Sequence, residues 1–372
     1  MRRFLFILLL SFIVVSAACI GSGEGTQTGT QSPSSFSTHS SNSPSENTAS
    51  SQQTASPTQP SSWNMELVWN VSTVGIPWMD MSPDGSLSAV IDDERTILYL
   101  VKPDGTSVSF DLKANDAVRP VVSGVVVVGG EAYVAGSYES FAGLRIYSWE
   151  GLVSEEKHGW SGSIGEEILR SPSGNHVCYH ADNRVFCDGK EISRDYSILS
   201  VSDSGLVVLS AGESSIIPRE GQEIFGLNTG KVIAYRDRVL ASEDGKLRIY
   251  SSNGEPQAEK EGYAFDQTIL LKWTLIPTEK YIFWHEAFED THVLTWNLTE
   301  VKELPGFPYF ANENFVITAS NGVIHCYSLD DFHEVFSVKV PGDSLGYIKL
   351  SDDGKVMLVS GETGGFWLYS AE

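Results

Sequence analysis

The chain has 372 residues, with 48 acidic against 25 basic side chains and a formal net charge of −23. Nucleic-acid binders need a basic footprint, and an acidic surface repels phosphate backbones, so no nucleic-acid partner is expected. The same excess of acid favours solubility and self-repulsion, and the chain is read as monomeric.

The first residues point to export. Arg2 and Arg3 precede an almost purely apolar run, Phe4 to Val15, and Ser16-Ala17-Ala18 follows. A basic start, an apolar core and small exit residues are the parts of a secretory signal peptide, placed at 1–18. The apolar run is shorter than the ~20 residues that a spanning helix needs. Ser16-Ala17-Ala18-Cys19 resembles the lipobox of prokaryotic lipoproteins, with Ser16 where that motif usually has Leu. The resemblance implies that Cys19 becomes the lipidated first residue after cleavage. Acyl chains contribute ~0.8 kcal/mol per buried methylene, so the mature protein would sit lipid-anchored on the extracytoplasmic face of the cell membrane.

Residues 19–62 form the lipidated Cys and a tether. Of the 42 residues from 21 to 62, 14 are Ser and 7 are Thr, with no Lys or Arg and one aromatic, Phe36. Such a segment cannot bury enough apolar surface to offset its ordering entropy. A Cys-Ile-Gly start followed by a Ser/Thr stalk resembles surface lipoproteins of archaea.

Residues 63–372 read as one all-β domain. Short β-branched and aromatic runs, such as Ser88–Ile91, Thr96–Leu100 and Phe366–Tyr369, alternate with Gly, Asp, Asn and Pro. Met81-Ser82-Pro83-Asp84-Gly85 recurs as Arg170-Ser171-Pro172-Ser173-Gly174, Val201-Ser202-Asp203-Ser204-Gly205 and Leu350-Ser351-Asp352-Asp353-Gly354. Each is a hairpin turn: Ser or Asp bonds its own backbone, Pro presets φ, and Gly takes positive φ. The template places innermost strands near residues 78, 118, 166, 196, 231, 268, 307 and 346, about 39 residues apart, which is the signature of a propeller with four strands per blade. Eight blades are expected, with seven as the alternative. The orphan strand Met65–Trp69 is expected to close the last blade and hide both sheet edges.

The Ser-Pro-Asp-Gly turn is similar to that of WD-repeat-like propellers, which implies a scaffold or surface-binding module. The Gly-His and Trp-Asp dipeptides of true WD repeats are missing. Leu227-Asn228-Thr229-Gly230-Lys231 resembles the Thr-Gly turn of quinoprotein-like propellers. The eight-bladed lipoprotein architecture is similar to that of the bacterial outer-membrane assembly lipoprotein.

Among candidate site residues, Cys178 and Cys187 stand out. They flank Asp182-Asn183, a two-residue turn, and counting outward makes them directly opposed in a non-hydrogen-bonded pair. Such pairs have Cα atoms about 4.5 Å apart, within disulfide reach, and an exported protein can keep the bond. Cys326 is left over, in a strand. Asn70-Val71-Ser72 and Asn297-Leu298-Thr299 are glycosylation sequons at Asn70 and Asn297. His176 and His180 share a strand face. His285 and His292 flank Glu286, Glu289 and Asp290 without zincin spacing, and the 285–292 segment reads as a solvated acidic loop. The recurrent Trp residues read as packing between blades. No nucleophile elbow, phosphate loop or Cys-x-x-Cys is present in the domain, so no catalytic, metal or cofactor residue is assigned. The expectation is a non-enzymatic surface module for a protein or glycan partner. The alternative is an extracytoplasmic quinoprotein-like dehydrogenase or propeller hydrolase.

Overall fold

The computed structural model describes residues 63–73, 78–92, 94–114, 116–159, 168–212, 214–219, 222–229, 231–265, 275–285, 290–341, 344–362 and 364–371. The signal peptide, Cys19 and the tether lie outside these residues, as do Trp160, Trp273, Glu286 and Glu289.

The described residues from Trp63 onward form 32 strands in eight four-stranded antiparallel sheets. Each sheet is a blade of a β-propeller. Innermost strands begin at Trp78, Val121, Ile168, Ser197, Val232, Leu275, Phe307 and Leu345, and these define blades 1 to 8. The expectation of eight blades holds. The sixth start shifts furthest from its expected place and follows residues 266–274, which are not described. In the eighth blade the chain supplies three strands and borrows the fourth from the other end. Met65–Val71 pairs antiparallel with Phe366–Ala371, Met65 opposite Ala371 and Val71 opposite Phe366.

The core is a ring of eight apolar clusters, one at each blade junction. Ala89, Ile91, Leu98 and Leu100 meet Val122, Val125, Val127 and Val134 between blades 1 and 2. The ring closes where Met81, Val90 and Val101 meet Leu358, Phe366 and Leu368 of blade 8, with Val68, Trp69 and Val71 packed alongside. Each fully buried aliphatic or aromatic side chain contributes roughly 1.5–3 kcal/mol, so the closing strand is held by packing as well as by its ladder. Gly105 shows how tight this seam is. It has φ +81°, and a Cβ there would lie 2.4 Å from the Val68 carbonyl oxygen.

The repeated serine turn works through a buried hydroxyl. Ser82, Ser171, Ser202 and Ser351 are all buried. The Ser82 and Ser351 hydroxyls each accept an N–H from five residues on, at 3.1 and 3.0 Å, and donate to Asp84 and Asp353 at 2.6 Å. The following glycines, Gly85, Gly174, Gly205 and Gly354, take φ between +71° and +78°. A local side chain therefore replaces the ladder bonds that the turn would otherwise leave open.

Strand order gives the propeller two distinct ends. Turns between first and second strands, and between third and fourth, lie at one end. Turns between second and third strands, and the loops that join blades, lie at the other. We call these the serine-turn end and the junction end. Trp63 contacts Phe315 edge-on at 5.7 Å and abuts Gly354, so the chain enters the propeller at the serine-turn end.

Candidate functional site

At the serine-turn end the channel mouth is crossed by charged side chains from non-adjacent blades. Arg170, at the end of the innermost strand of blade 3, reaches Asp80 on that of blade 1, Nε to Oδ2 2.6 Å and Nη2 to Oδ1 3.2 Å. It also donates to the carbonyls of Met81, Ser171 and Pro172. Lys349 of blade 8 lies 3.5 Å from Asp80, and the Val127 N–H of blade 2 donates to Asp80 at 2.9 Å. Burial opposes ionisation of Asp80, but the charges of Arg170 and Lys349 overcome it and hold its carboxyl below the usual range. Burial lowers Lys349 more than Asp80 raises it.

A second bridge spans blades 5 to 7. The Tyr235 hydroxyl donates to Glu313 in a short bond, the Glu279 N–H donates to Glu313 at 2.8 Å, and Arg236 meets Glu279 at 2.9 Å. Burial and the Glu313 carboxylate push the Tyr235 hydroxyl upward. Asp352 lies exposed at the rim of this mouth. Its carboxyl is raised first by desolvation, with Glu313, Asp84 and Asp203 also disfavouring its charge. The polar groups at this end bind the blades to one another.

The junction end is different. Two clefts open there, of about 510 and 340 Å³, and both fall in or near the 300–1,000 Å³ range of ligand sites. The larger is lined by Asn228, Thr229 and Lys231 from the blade 4–5 loop, and by Ser242, Glu243, Asp244 and Arg248 of blade 5. The smaller is lined by Asp116, Glu139, Phe141, Arg145, Glu155 and Lys157 around blade 2. They are related positions. Leu144-Arg145-Ile146-Tyr147-Ser148 in blade 2 repeats as Leu247-Arg248-Ile249-Tyr250-Ser251 in blade 5. Each arginine sits opposite a glutamate of the outermost strand, Glu155 and Glu259.

The two arginines are held differently. Arg145 is 2% exposed and closed in. Asp116 from the junction loop grips it in two bonds of 2.5 and 3.2 Å, Glu155 takes Nε at 2.9 Å, and the Tyr138 ring lies 4.0 Å away. Arg248 is 27% exposed. Glu243 accepts from Nη1 at 3.1 Å, Glu259 is 3.4 Å from Nε, and Asp244 is 3.9 Å from Nη2, beyond hydrogen-bonding distance. The junction loop places Thr229 here, its hydroxyl donating to the Ser242 carbonyl at 2.8 Å.

The residues singled out in the sequence do not converge. Cys178 and Cys187 face each other in register and are disulfide-bonded, with Cα atoms 4.1 Å apart, inside blade 3. Asn297 is exposed at the tip of the 295–299 turn, and Asn70 is exposed within the closing strand, opposite Trp367. His176 pairs with Asp188 at 2.8 Å. His180 lies part-buried in blade 3, and burial lowers its pKa. His285 is buried with Phe307 edge-on at 4.6 Å, and His292 lies 3.1 Å from Glu300. Cys326 is buried, and burial raises its thiol. Among the described residues, no group of three or more His, Cys, Asp or Glu has metal-binding geometry. The arginine clefts were missed, although the repeated Leu-Arg-Ile-Tyr-Ser was there to be read. Of the Thr-Gly turn read in the sequence, Asn228, Thr229 and Lys231 line the larger cleft.

Comparison of folds defines the class. The C-terminal WD40 domain of Sif2 aligns with a TM-score of 0.58 at 12% identity, over 82% of this chain and 98% of that domain. The protein is a WD40-like β-propeller, and at that identity the likeness extends to the fold alone. No protein-family model matches the chain. A protein of Archaeoglobus fulgidus, described as an uncharacterized protein, is 57% identical over 307 residues, 80% of this chain and 87% of that one. The chain belongs to the same family as that archaeal protein.

Proposed function

We propose that this is a lipid-anchored protein of an archaeal cell surface, whose propeller is a non-enzymatic binding module for a protein or glycan partner. One observation carries the reading. The charged groups at the serine-turn mouth are engaged in bonding blades 1, 3 and 8, and 5 to 7, to one another, whereas the junction end carries two polar clefts. WD40-like propellers commonly bind partners on such an end, and fold by itself names no partner. The leader, Cys19 and the Ser/Thr tether support the anchored location, and the Archaeoglobus fulgidus relative supports an archaeal source.

The enzyme alternative rests on the Thr-Gly turn, whose Thr229 hydroxyl is engaged by the Ser242 carbonyl. The test is fractionation of host cells expressing the full chain, with mass analysis of its amino terminus. The proposal expects a membrane-bound chain, sensitive to external protease, beginning at acylated Cys19. A soluble chain retaining residues 1–18 would overturn it.

A further inference from the structure

We infer that the blade 5 cleft is a saccharide site, taking a neutral, polyhydroxylated ligand against Arg248. This rests on the binding-module reading and names the ligand class and place.

The argument begins with the internal comparison. Arg145 and Arg248 occupy the same position of the same pentapeptide. In blade 2 the junction loop delivers Asp116 across the outer edge of the guanidinium, and the arginine is shut in. In blade 5 the junction loop delivers Asn228 and Thr229 instead, and the cleft is larger. At Nη2 of Arg248 the nearest carboxylate, Asp244, stands 3.9 Å away, beyond hydrogen-bonding distance, whereas in the sister blade Asp116 completes two bonds to the arginine. An oxygen acceptor fits there.

Charge decides which acceptor. Glu243 already bonds Arg248 and receives the Tyr250 hydroxyl at 2.5 Å. Asp244, 85% exposed, stands beside it. Lys231 and Arg248 are matched by Glu243 and Asp244 on the same cleft wall. A ligand carboxylate entering this space would meet two carboxylates at close range, inside a protein of net charge −23. A hydroxylated ring meets no such penalty. Its oxygens accept from Arg248 and the Asn228 amide, and its hydroxyls donate to Glu243 and Asp244, which line the cleft. Charge-assisted bonds of this kind are the stronger ones.

The test uses the full chain in a detergent without a sugar headgroup. Titration calorimetry is run with maltose, α-1,2-mannobiose, N,N′-diacetylchitobiose and digalacturonate. At least one neutral disaccharide should bind, and Arg248→Gln should weaken it by at least ~10-fold while the chain still melts as wild type. Should Arg248→Gln fail to fold, Asn228→Ala and Asp244→Asn, both at exposed positions, should weaken the same ligand. Binding of digalacturonate alone would overturn the inference, as would a neutral sugar unaffected by these variants. If no sugar binds while the purified chain still retains a defined envelope partner, the saccharide site falls and the binding module stands. If neither binds, both fall.

Discussion

Asp80 holds three blades through one carboxylate, and its removal has a calculable effect. Asp80→Asn keeps the shape and the Val127 contact but removes the charge. Arg170, 11% exposed, and Lys349, 29% exposed, would then repel each other around a neutral amide. Breaking a buried pair by removing one partner costs about 3–5 kcal/mol, because the other charge remains buried. Lys349 keeps partial contact with water, so the lower end, ~3 kcal/mol, applies. With an unfolding entropy of roughly 2.1 cal/mol/K per residue over the ~310-residue propeller, that is a drop of about 5 °C in Tm. Scanning calorimetry or urea unfolding measures it, and a double-mutant cycle with Arg170→Gln isolates the pair. The cycle should return a coupling above ~1 kcal/mol. Strict additivity, or an Asp80→Asn protein within ~0.5 kcal/mol of wild type, would refute the view that this mouth is a structural clasp.

Acidification should weaken the fold through part-buried histidines. Burial lowers His158, which stacks on Phe186 at 3.8 Å, and also His180. The unfolded chain binds protons from about pH 6.5 downward, before the folded chain does, so stability falls as pH drops below that value and levels off below the folded pKa. Asp80 acts in the same direction at lower pH. Its depressed pKa keeps its contribution intact down to the ordinary carboxylate range and loses it only below. The urea midpoint of wild type should therefore fall from pH 7 to 5.5 more than that of His180→Gln; equal slopes would exclude a role for His180.

Removing the Cys178–Cys187 bond should cost at most ~2–3 kcal/mol, since the loop it closes is short. The denatured, unreduced mature chain should show Cys326 as its titratable thiol, and a count of three would contradict the pairing. Between the two sequons, modification is expected at Asn297, on a turn tip, over Asn70, within a paired strand. Glycopeptide mass spectrometry of the native protein distinguishes them, and a glycan on Asn70 alone would be the wrong outcome.

What could be read in the sequence was local. The serine turn is closed by bonds within about five residues, so Ser82-Pro83-Asp84-Gly85 and its repeats marked the blades. The opposition of Cys178 and Cys187 followed from counting outward from Asp182-Asn183. The closing strand followed from an orphan at one end and a three-stranded blade at the other. Contacts between blades were not legible. Asp80, Arg170 and Lys349 lie in three distant segments, and no spacing rule joins them. Arg145 draws Asp116 from a loop 29 residues earlier. The sixth blade lacks the serine turn, having Thr278-Glu279-Lys280 in its place, and its start was set too early. The histidines, to which the sequence assigned no metal site, are dispersed into packing and ion pairs.

The most direct test of the account compares the two ends of the propeller in the cell. A photo-crosslinking residue replaces Asn228 at the junction end or Glu279 at the serine-turn end, in the full chain at the envelope of its host. The account predicts a discrete adduct, bearing envelope glycan, from position 228 and none from 279. Adducts from 279 alone, or equally from both positions, would contradict it.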